Sequence, residues 1–201
     1  MSNNQSSNYD VVIIGAGSIG TPAAFFLSQS GLKVLVLDKE ASVGQASNKR
    51  AIGGIRATHS DPAKIRLCLR SIDIFSSWKQ IYGDDIEWVE GGYVFVAYRD
   101  QEEKTLKELL LTQHKFGLDI DWLDARQLRE VVPDLNPEGL LGGTFSPHDG
   151  NASPLLAIHA FYRHAVTLGA VFHFNEYVTE LMIKSGQVVG IKTQNNTYSA
   201  D

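Results

Sequence analysis

The sequence predicts an α/β fold that begins with a dinucleotide-binding βαβ unit, and three observations carry the prediction. Residues Asp10 to Asp38 read DVVIIGAGSIGTPAAFFLSQSGLKVLVLD: an apolar strand (Val11 to Ile14), a Gly15-x-Gly17-x-x-Gly20 turn, a helix, and a second apolar strand (Val34 to Leu37) closed by an acid eighteen residues past Gly20. Helical and strand periodicities then interleave along the rest of the chain. A run of short strands separated by turn residues ends it, from Val178 onward.

Each part of the first unit has a physical task. Gly15 allows the tight turn out of the strand, Gly17 lets a pyrophosphate approach bare backbone, and Gly20 lets the helix pack close to the strands. The helix N-terminus points unpaired N–H groups and its positive dipole end at the phosphates. Asp38 would accept hydrogen bonds from the ribose hydroxyls of an adenosine and repel a 2′-phosphate, which disfavours NADP. Pro22 sits in the first helical turn, Ala23, Ala24, Phe26 and Leu27 give an apolar face, and Gly31 suits the C-terminal cap. Ala16-x-Ser18-x-Gly20 approaches the nucleophile elbow of α/β-hydrolases. That reading has Ala at its first position and no use for Gly15 or Asp38.

Of the 201 residues, 43% are hydrophobic and 20% charged, enough apolar side chain for a sizeable core. The net charge of −5 and the lack of a basic stripe argue against a nucleic-acid partner. The single cysteine, Cys68, stands among Ile65, Leu67 and Leu69 and reads as a small buried hydrophobe. Residues 1–8, MSNNQSSN, have neither a basic region nor an apolar run; they are expected to be a disordered tail rather than a signal peptide. No segment is long and apolar enough to span a membrane, so the default location is cytoplasmic.

Ala41 to Ser60 is a long loop of small and polar residues carrying Lys49, Arg50 and Arg56. Such loops tend to be functional, and its backbone N–H groups suit more of a large cofactor than one nucleotide. Asp61-Pro62 caps a helix to about Tyr82, with Ile65, Leu69, Ile72, Phe75, Trp78 and Tyr82 on its core face. Glu87 to Ala97 reads as a hairpin bent near Gly91-Gly92. Gln101 to Phe116 is a helix stopped by Gly117, and Asp124 caps a short helix ending before Pro133. Leu141 to Phe145 is a strand, and Ser153-Pro154 starts a helix through Leu168 with Gly169 past its end. Ala170 to Phe174 is a strand. An antiparallel meander follows: Val178 to Ile183, Val188 to Thr193 and Thr197 onward, turned at Ser185-Gly186 and Asn195-Asn196. Two lobes are expected: 9–60 with 150–201 for the dinucleotide, and 61–149 inserted between.

With these residues in hand, the chain resembles the D-amino-acid-oxidase-like family of FAD-dependent oxidoreductases, in its sarcosine oxidase, glycine oxidase and amino-acid dehydrogenase β-subunit branch. The resemblance lies in DVVIIGAGSIG, VLVLDKE, ASNKRAIGGIR, EGGYVFVA, LREVVPDL, HDGNASP and YVTELMIKSGQVVGIKT, which run through nearly all of residues 9–201. It implies a glutathione-reductase-like FAD-binding domain of the GR2 type with an inserted α+β substrate lobe. It also implies that Gly15, Gly17, Ser18 and Gly20 hold the FAD pyrophosphate, that Asp38 and the adjoining Lys39 serve the adenosine end, and that Val178 brings backbone against the adenine. Ser47, Gly53, Gly54 and Arg56 would lie in the loop that reaches the flavin ring. Arg56 is the side chain expected nearest the isoalloxazine, where a cation stabilises the anionic reduced flavin; the alternative is a surface arginine paired with a phosphate or an acid. The family's activity implies oxidation of the C–N bond of a small amino acid or N-methyl amino acid. Members continue well past the point where this sequence stops. The groups that bind the substrate carboxylate and cover one flavin face are therefore expected in a continuation of the chain or in another subunit.

The six histidines show no metal-ligand spacing; His159 and His164, five apart, do not share a helical face. No metal site is expected. His148-Asp149 reads less as acid–base chemistry than as the start of an Asp149-Gly150 turn. Two rivals stay open: an NAD-linked Rossmann dehydrogenase, against which the Ala41–Ser60 loop argues, and a nucleotide-binding module without catalysis.

Overall fold

The computed structural model describes residues 9–199, so the expected tail, residues 1–8, lies outside it. In chain order the elements are β1 (Val11–Ile14), α1 (Gly20–Gln29), β2 (Val34–Leu37), β3 (Gly54–Ile55), α2 (Pro62–Tyr82), β4 (Val89–Glu90), β5 (Tyr93–Ala97), α3 (Asp100–Lys115), β6 (Asp121–Asp124), α4 (Ala125–Val131), β7 (Gly142–Ser146), β8 (Gly150–Asn151), α5 (Pro154–Thr167), β9 (Val171–His173), β10 (Val178–Lys184), β11 (Gln187–Thr193) and β12 (Thr197–Ser199). They form two compact units, Met1–Ile52 with Pro154–Asp201, and Gly53–Ser153.

The first unit is layered. β1, β2 and β9 make a parallel sheet in the order β1-β2-β9, with Val11 opposite Val34 and Leu35 opposite Val171. All four residues of β2, Val-Leu-Val-Leu, are buried, as expected of a central strand covered on both faces. Leu35 and Leu37 point to one face, where they cluster with Ile191 of the β10-β11-β12 meander and with Val12, Val171, Val178 and Tyr198. Val34 and Val36 alternate to the other face. Helices α1 and α5 pack on each other through Phe25 and Phe161, whose rings meet edge-on at 5.6 Å. The meander turns as its residues dictate: Ser185 and Gly186 both take positive φ, 52° and 80°, the primed turn that matches strand twist.

The second unit is α+β. β5, β7 and β6 form an antiparallel sheet in the order β5-β7-β6, and β3, β8 and β4 form a smaller one in the order β3-β8-β4. The core is Ala57, Ile65, Ile72, Leu118 and Ile120, with Ile55, Cys68, Leu69 and Trp88 packed against it. The expected Glu87–Ala97 hairpin does not form. β4 and β5 do not pair; β4 pairs with β8 and β5 with β7, so the segment bends a corner between two sheets. Gly92 makes the corner at φ 74°, and its N–H donates to the Asp149 carbonyl at 2.8 Å instead of closing a two-residue turn. The expected Asp149-Gly150 turn is corrected with it. Gly150 and Asn151 are strand residues that pair with Gly54 and Ile55 on one side and with Val89 and Glu90 on the other. That ladder places residues 53–60 and 150–153 in this unit rather than with the βαβ unit.

Helix ends follow local chemistry. The Asp61 carboxylate accepts from the Lys64 N–H at 2.9 Å, Pro62 opens α2, and Gly83 closes it at φ 82°. Asp124 and Gln127 cap α4 reciprocally, at 2.8 and 3.0 Å. An Asp61→Ala variant is expected to lose about 1 kcal/mol of stability. Urea unfolding should show this as a lower midpoint at unchanged slope.

Candidate functional site

The glycine-rich turn is built as its sequence requires. Gly15 sits at φ 103° and donates its N–H to the Leu37 carbonyl at 2.8 Å, tying the turn to the end of β2. At Gly20 a Cβ would run into the Gly15 carbonyl oxygen and lie 3.0 Å from Ile13 Cγ2, so only glycine lets α1 start this close to the strand. Gly17 is the opposite case: a Cβ there would meet nothing within 4 Å. It faces open space.

That space is a cleft of about 410 Å³ within the first unit. Gly15, Gly17, Ser18, Asp38, Lys39, Ser47 and Val178 all line it. Gly20 lies behind the turn and does not. The start of α1 has no side-chain cap and no acid in its first turn. Its N–H groups and positive dipole end are left for an anion.

Asp38 has a structural task as well. Its Oδ2 accepts from the Ala16 N–H at 2.5 Å and its Oδ1 from the Glu40 N–H at 2.8 Å, so the carboxylate staples the glycine turn to the end of β2. An ionised carboxylate offers about four lone-pair directions, which leaves acceptors for a ribose. Two further acids line the cleft, Glu40 and Glu176. The Glu176 N–H donates to the Asp38 carbonyl at 2.9 Å and the Asn175 N–H to the Glu40 carbonyl at 3.0 Å. Glu176 is 8% exposed; its Oε1 accepts from Asn196 Nδ2 at 2.7 Å, and its Oε2 has no partner among the described residues. Neither acid was anticipated. The signal was adjacency: Glu40 stands two residues after Asp38, and Glu176 two before Val178.

Gly53, Gly54 and Arg56 belong to the second unit. The Gly53 carbonyl accepts from the Ala152 N–H at 3.1 Å, and Gly54 pairs with Asn151. The Arg56 guanidinium lies over the Phe95 ring, 5.1 Å from its centre, and Nη1 donates to the Thr58 carbonyl oxygen. Beneath this segment is Asp149, a carboxylate with no solvent exposure. Its Oδ1 accepts from the Ala57 N–H at 2.9 Å and its Oδ2 from the Thr58 hydroxyl at 3.1 Å. Burial pushes its pKa above the usual carboxylate range, against the hydrogen bonds from Ala57, Thr58 and Ser146 and the Arg56 charge.

His59 follows in the same segment. Burial, then the Arg56 and Lys64 charges, lower its pKa and favour the neutral imidazole. Cys68 is half-buried, and desolvation pushes its thiol up, which suits a packing residue rather than a nucleophile. Among the described residues no group of three or more His, Cys, Asp or Glu side chains is placed to hold a metal, and no helix is long and apolar enough to cross a membrane.

The sequence profile of the DAO family, described as FAD dependent oxidoreductase, matches residues 10–201. The chain is 32% identical over 200 residues to monomeric sarcosine oxidase of Streptomyces avermitilis, covering 97% of this chain and 50% of that protein. It is 30% identical over 203 residues to glycine oxidase of Bacillus licheniformis, covering 96% and 52%. Among solved structures, L-proline dehydrogenase of P. horikoshii superimposes with a TM-score of 0.91 at 30% identity, covering 96% of this chain and 51% of that one. The chain thus spans about half the length of these relatives.

Proposed function

Because this chain belongs to the DAO family of FAD dependent oxidoreductases, we propose that it binds FAD in the cleft of its first unit and serves the oxidation of the C–N bond of a small amino acid or N-methyl amino acid. The observation that carries the reading is the cleft itself, which gathers Gly15, Gly17, Ser18, Asp38, Lys39, Ser47 and Val178 within one unit. Its features fit an adenosine diphosphate moiety. Bare backbone at Gly17 and the uncapped start of α1 suit the pyrophosphate, with Gly20 supporting the turn from behind. Asp38 would accept from the ribose and Val178 would present backbone to the adenine, while the carboxylates of Asp38, Glu40 and Glu176, which all line the cleft, would disfavour a 2′-phosphate.

FAD, when bound, supplies the acceptor for a hydride equivalent leaving the carbon beside a neutral amine, and the remaining imine takes up water and hydrolyses. The chain's own contribution is binding, orientation and charge. The substrate class rests on likeness: the named relatives include a sarcosine oxidase, a glycine oxidase and an L-proline dehydrogenase.

The test is anaerobic mixing of sarcosine, glycine and L-proline with the FAD-loaded chain within the full-length protein or complex in which it occurs. Bleaching of the visible flavin band by at least one of them is expected. Retained FAD that none of them bleaches would contradict the oxidation part of the proposal and leave a nucleotide-binding module.

A further inference from the structure

Glu176 lines the cleft and is 8% exposed, so its carboxylate has given up most of its hydration. One oxygen is satisfied: Oε1 accepts from Asn196 Nδ2 at 2.7 Å. The other, Oε2, is buried and has no partner among the described residues. An unmatched acceptor of this kind is costly to keep. A glutamine would serve Asn196 equally well through its amide oxygen. The turn that carries Asn196 has its own supports as well, since Thr193 Oγ1 accepts from the Asn195 and Asn196 N–H groups at 3.2 and 2.9 Å. What a carboxylate adds over an amide at this position is a second acceptor.

The order of the strands points to what that acceptor meets. At the C-terminal edge of the β1-β2-β9 sheet, the glycine turn follows β1, Asp38 follows β2, and Glu176 follows β9. Neighbouring strands lie about 4.8 Å apart, so the three stand in a row. Their spacing is tied by backbone: the Asp38 N–H donates to the His173 carbonyl at 3.0 Å, and the Glu176 N–H to the Asp38 carbonyl at 2.9 Å. Gly15, Gly17, Asp38 and Glu176 all line the same cleft of the first unit. A nucleotide with its pyrophosphate at the glycine turn and its ribose at Asp38 carries its base onward along that row, to Glu176.

We propose that Glu176 is a specificity-determining residue for the base, its Oε2 accepting a hydrogen bond from the exocyclic amino group of adenine. The proposal rests on the reading above that the cleft holds the adenosine diphosphate moiety of FAD. Adenine is a purine with a donor at its 6-position, and a carboxylate oxygen left open in the cleft is the matching acceptor.

The test compares FAD with an analogue that carries hydrogen in place of the adenine amino group. Both are titrated by equilibrium dialysis into the flavin-free full-length protein or complex in which this chain occurs. The wild type is expected to bind FAD about thirtyfold more tightly than the analogue. In Glu176→Gln the amide oxygen stays with Asn196 and the NH2 group faces the base, so the two ligands should bind within about twofold of each other. Removing a negative charge near the phosphates favours both ligands alike, so the ratio of the two Kd values cancels it. Glu176→Ala should abolish the ratio too, and decides the matter if the glutamine variant fails to fold. Equal Kd values in the wild type would overturn the proposal without any variant. A thirtyfold preference that survives in the variants would overturn the role of Glu176. Binding of neither ligand to the wild type would instead remove the reading of the cleft, and this proposal with it.

Discussion

A Gly20→Val variant is expected to lose FAD binding and to unfold at a markedly lower temperature. The Cβ would meet the carbonyl oxygen of Gly15, a backbone atom, and Ile13 Cγ2 at 3.0 Å. Gly15 has little room to yield, because its N–H is bonded to the Leu37 carbonyl at 2.8 Å and its φ of 103° suits few other conformations. Overpacking of this kind costs about 1–3 kcal/mol even where side chains can adjust. Here the helix start must move away from the strand, and its N–H groups move with it, away from where the proposed pyrophosphate would sit. Gly17→Ala is the matched control. Its methyl meets no protein atom within 4 Å but projects into space the cofactor needs. The control should keep its thermal midpoint and still show weakened FAD binding by fluorescence titration. Equal stability and affinity in Gly20→Val and the wild type would contradict the packing role assigned to that glycine.

The second large effect is expected at Asp38. Asp38→Ala removes the acceptors of the Ala16 and Glu40 N–H groups and, on the proposal that FAD fills the cleft, a ribose partner. Hydrogen bonds to charged groups contribute about 1.5–3 kcal/mol each, so a stability loss of roughly 2 kcal/mol is expected. A roughly 30-fold rise in the Kd for FAD should accompany it. Asp38→Asn separates the charge from the staple only in part, since its single amide oxygen accepts one of the two backbone N–H groups while its NH2 faces the other and the negative charge is gone. It should recover only part of the stability and little of the selectivity against a 2′-phosphate. Chemical unfolding and ligand titration on the same samples read both, and a variant that lost affinity with no loss of stability would disprove the staple.

Much of this was legible in the sequence because its signals are local. The βαβ unit declares itself through a strand, three glycines and an acid within a single stretch, and helix α2 through Asp61-Pro62 at one end and Gly83 at the other. The meander was readable from Ser185-Gly186, a pair that takes positive φ readily at its glycine and tolerably at its serine. What stayed hidden depends on distant partners. β3 and β8 are two residues each and exist only because they pair across most of the second unit. Two-residue strands carry no periodicity to detect. Asp149-Gly150 has the composition of a turn, and nothing nearby reveals that the carboxylate bonds to Ala57, 92 residues away. The Glu87–Ala97 segment misled for the same reason: two strand-like runs around Gly91-Gly92 suit a hairpin locally, but each run finds a better partner in β7 or β8. Gly15, Gly17, Ser18, Asp38 and Lys39 could be brought to one cleft from the sequence because they lie in one contiguous βαβ stretch. Glu40 and Glu176 could not, because their place in the cleft is set by how β2 and β9 lie side by side.

The proposed binding of FAD in the glycine-rich cleft is tested most directly by the visible absorption spectrum of the purified protein. The spectrum is recorded before and after addition of FAD and again after desalting, with NAD titrated into the same preparation. Flavin bands that stay with the wild-type protein through desalting, and are lost from Gly20→Val, are the predicted result. A protein that retains no flavin after reconstitution while binding NAD would contradict the claim and point to a nicotinamide-linked dehydrogenase.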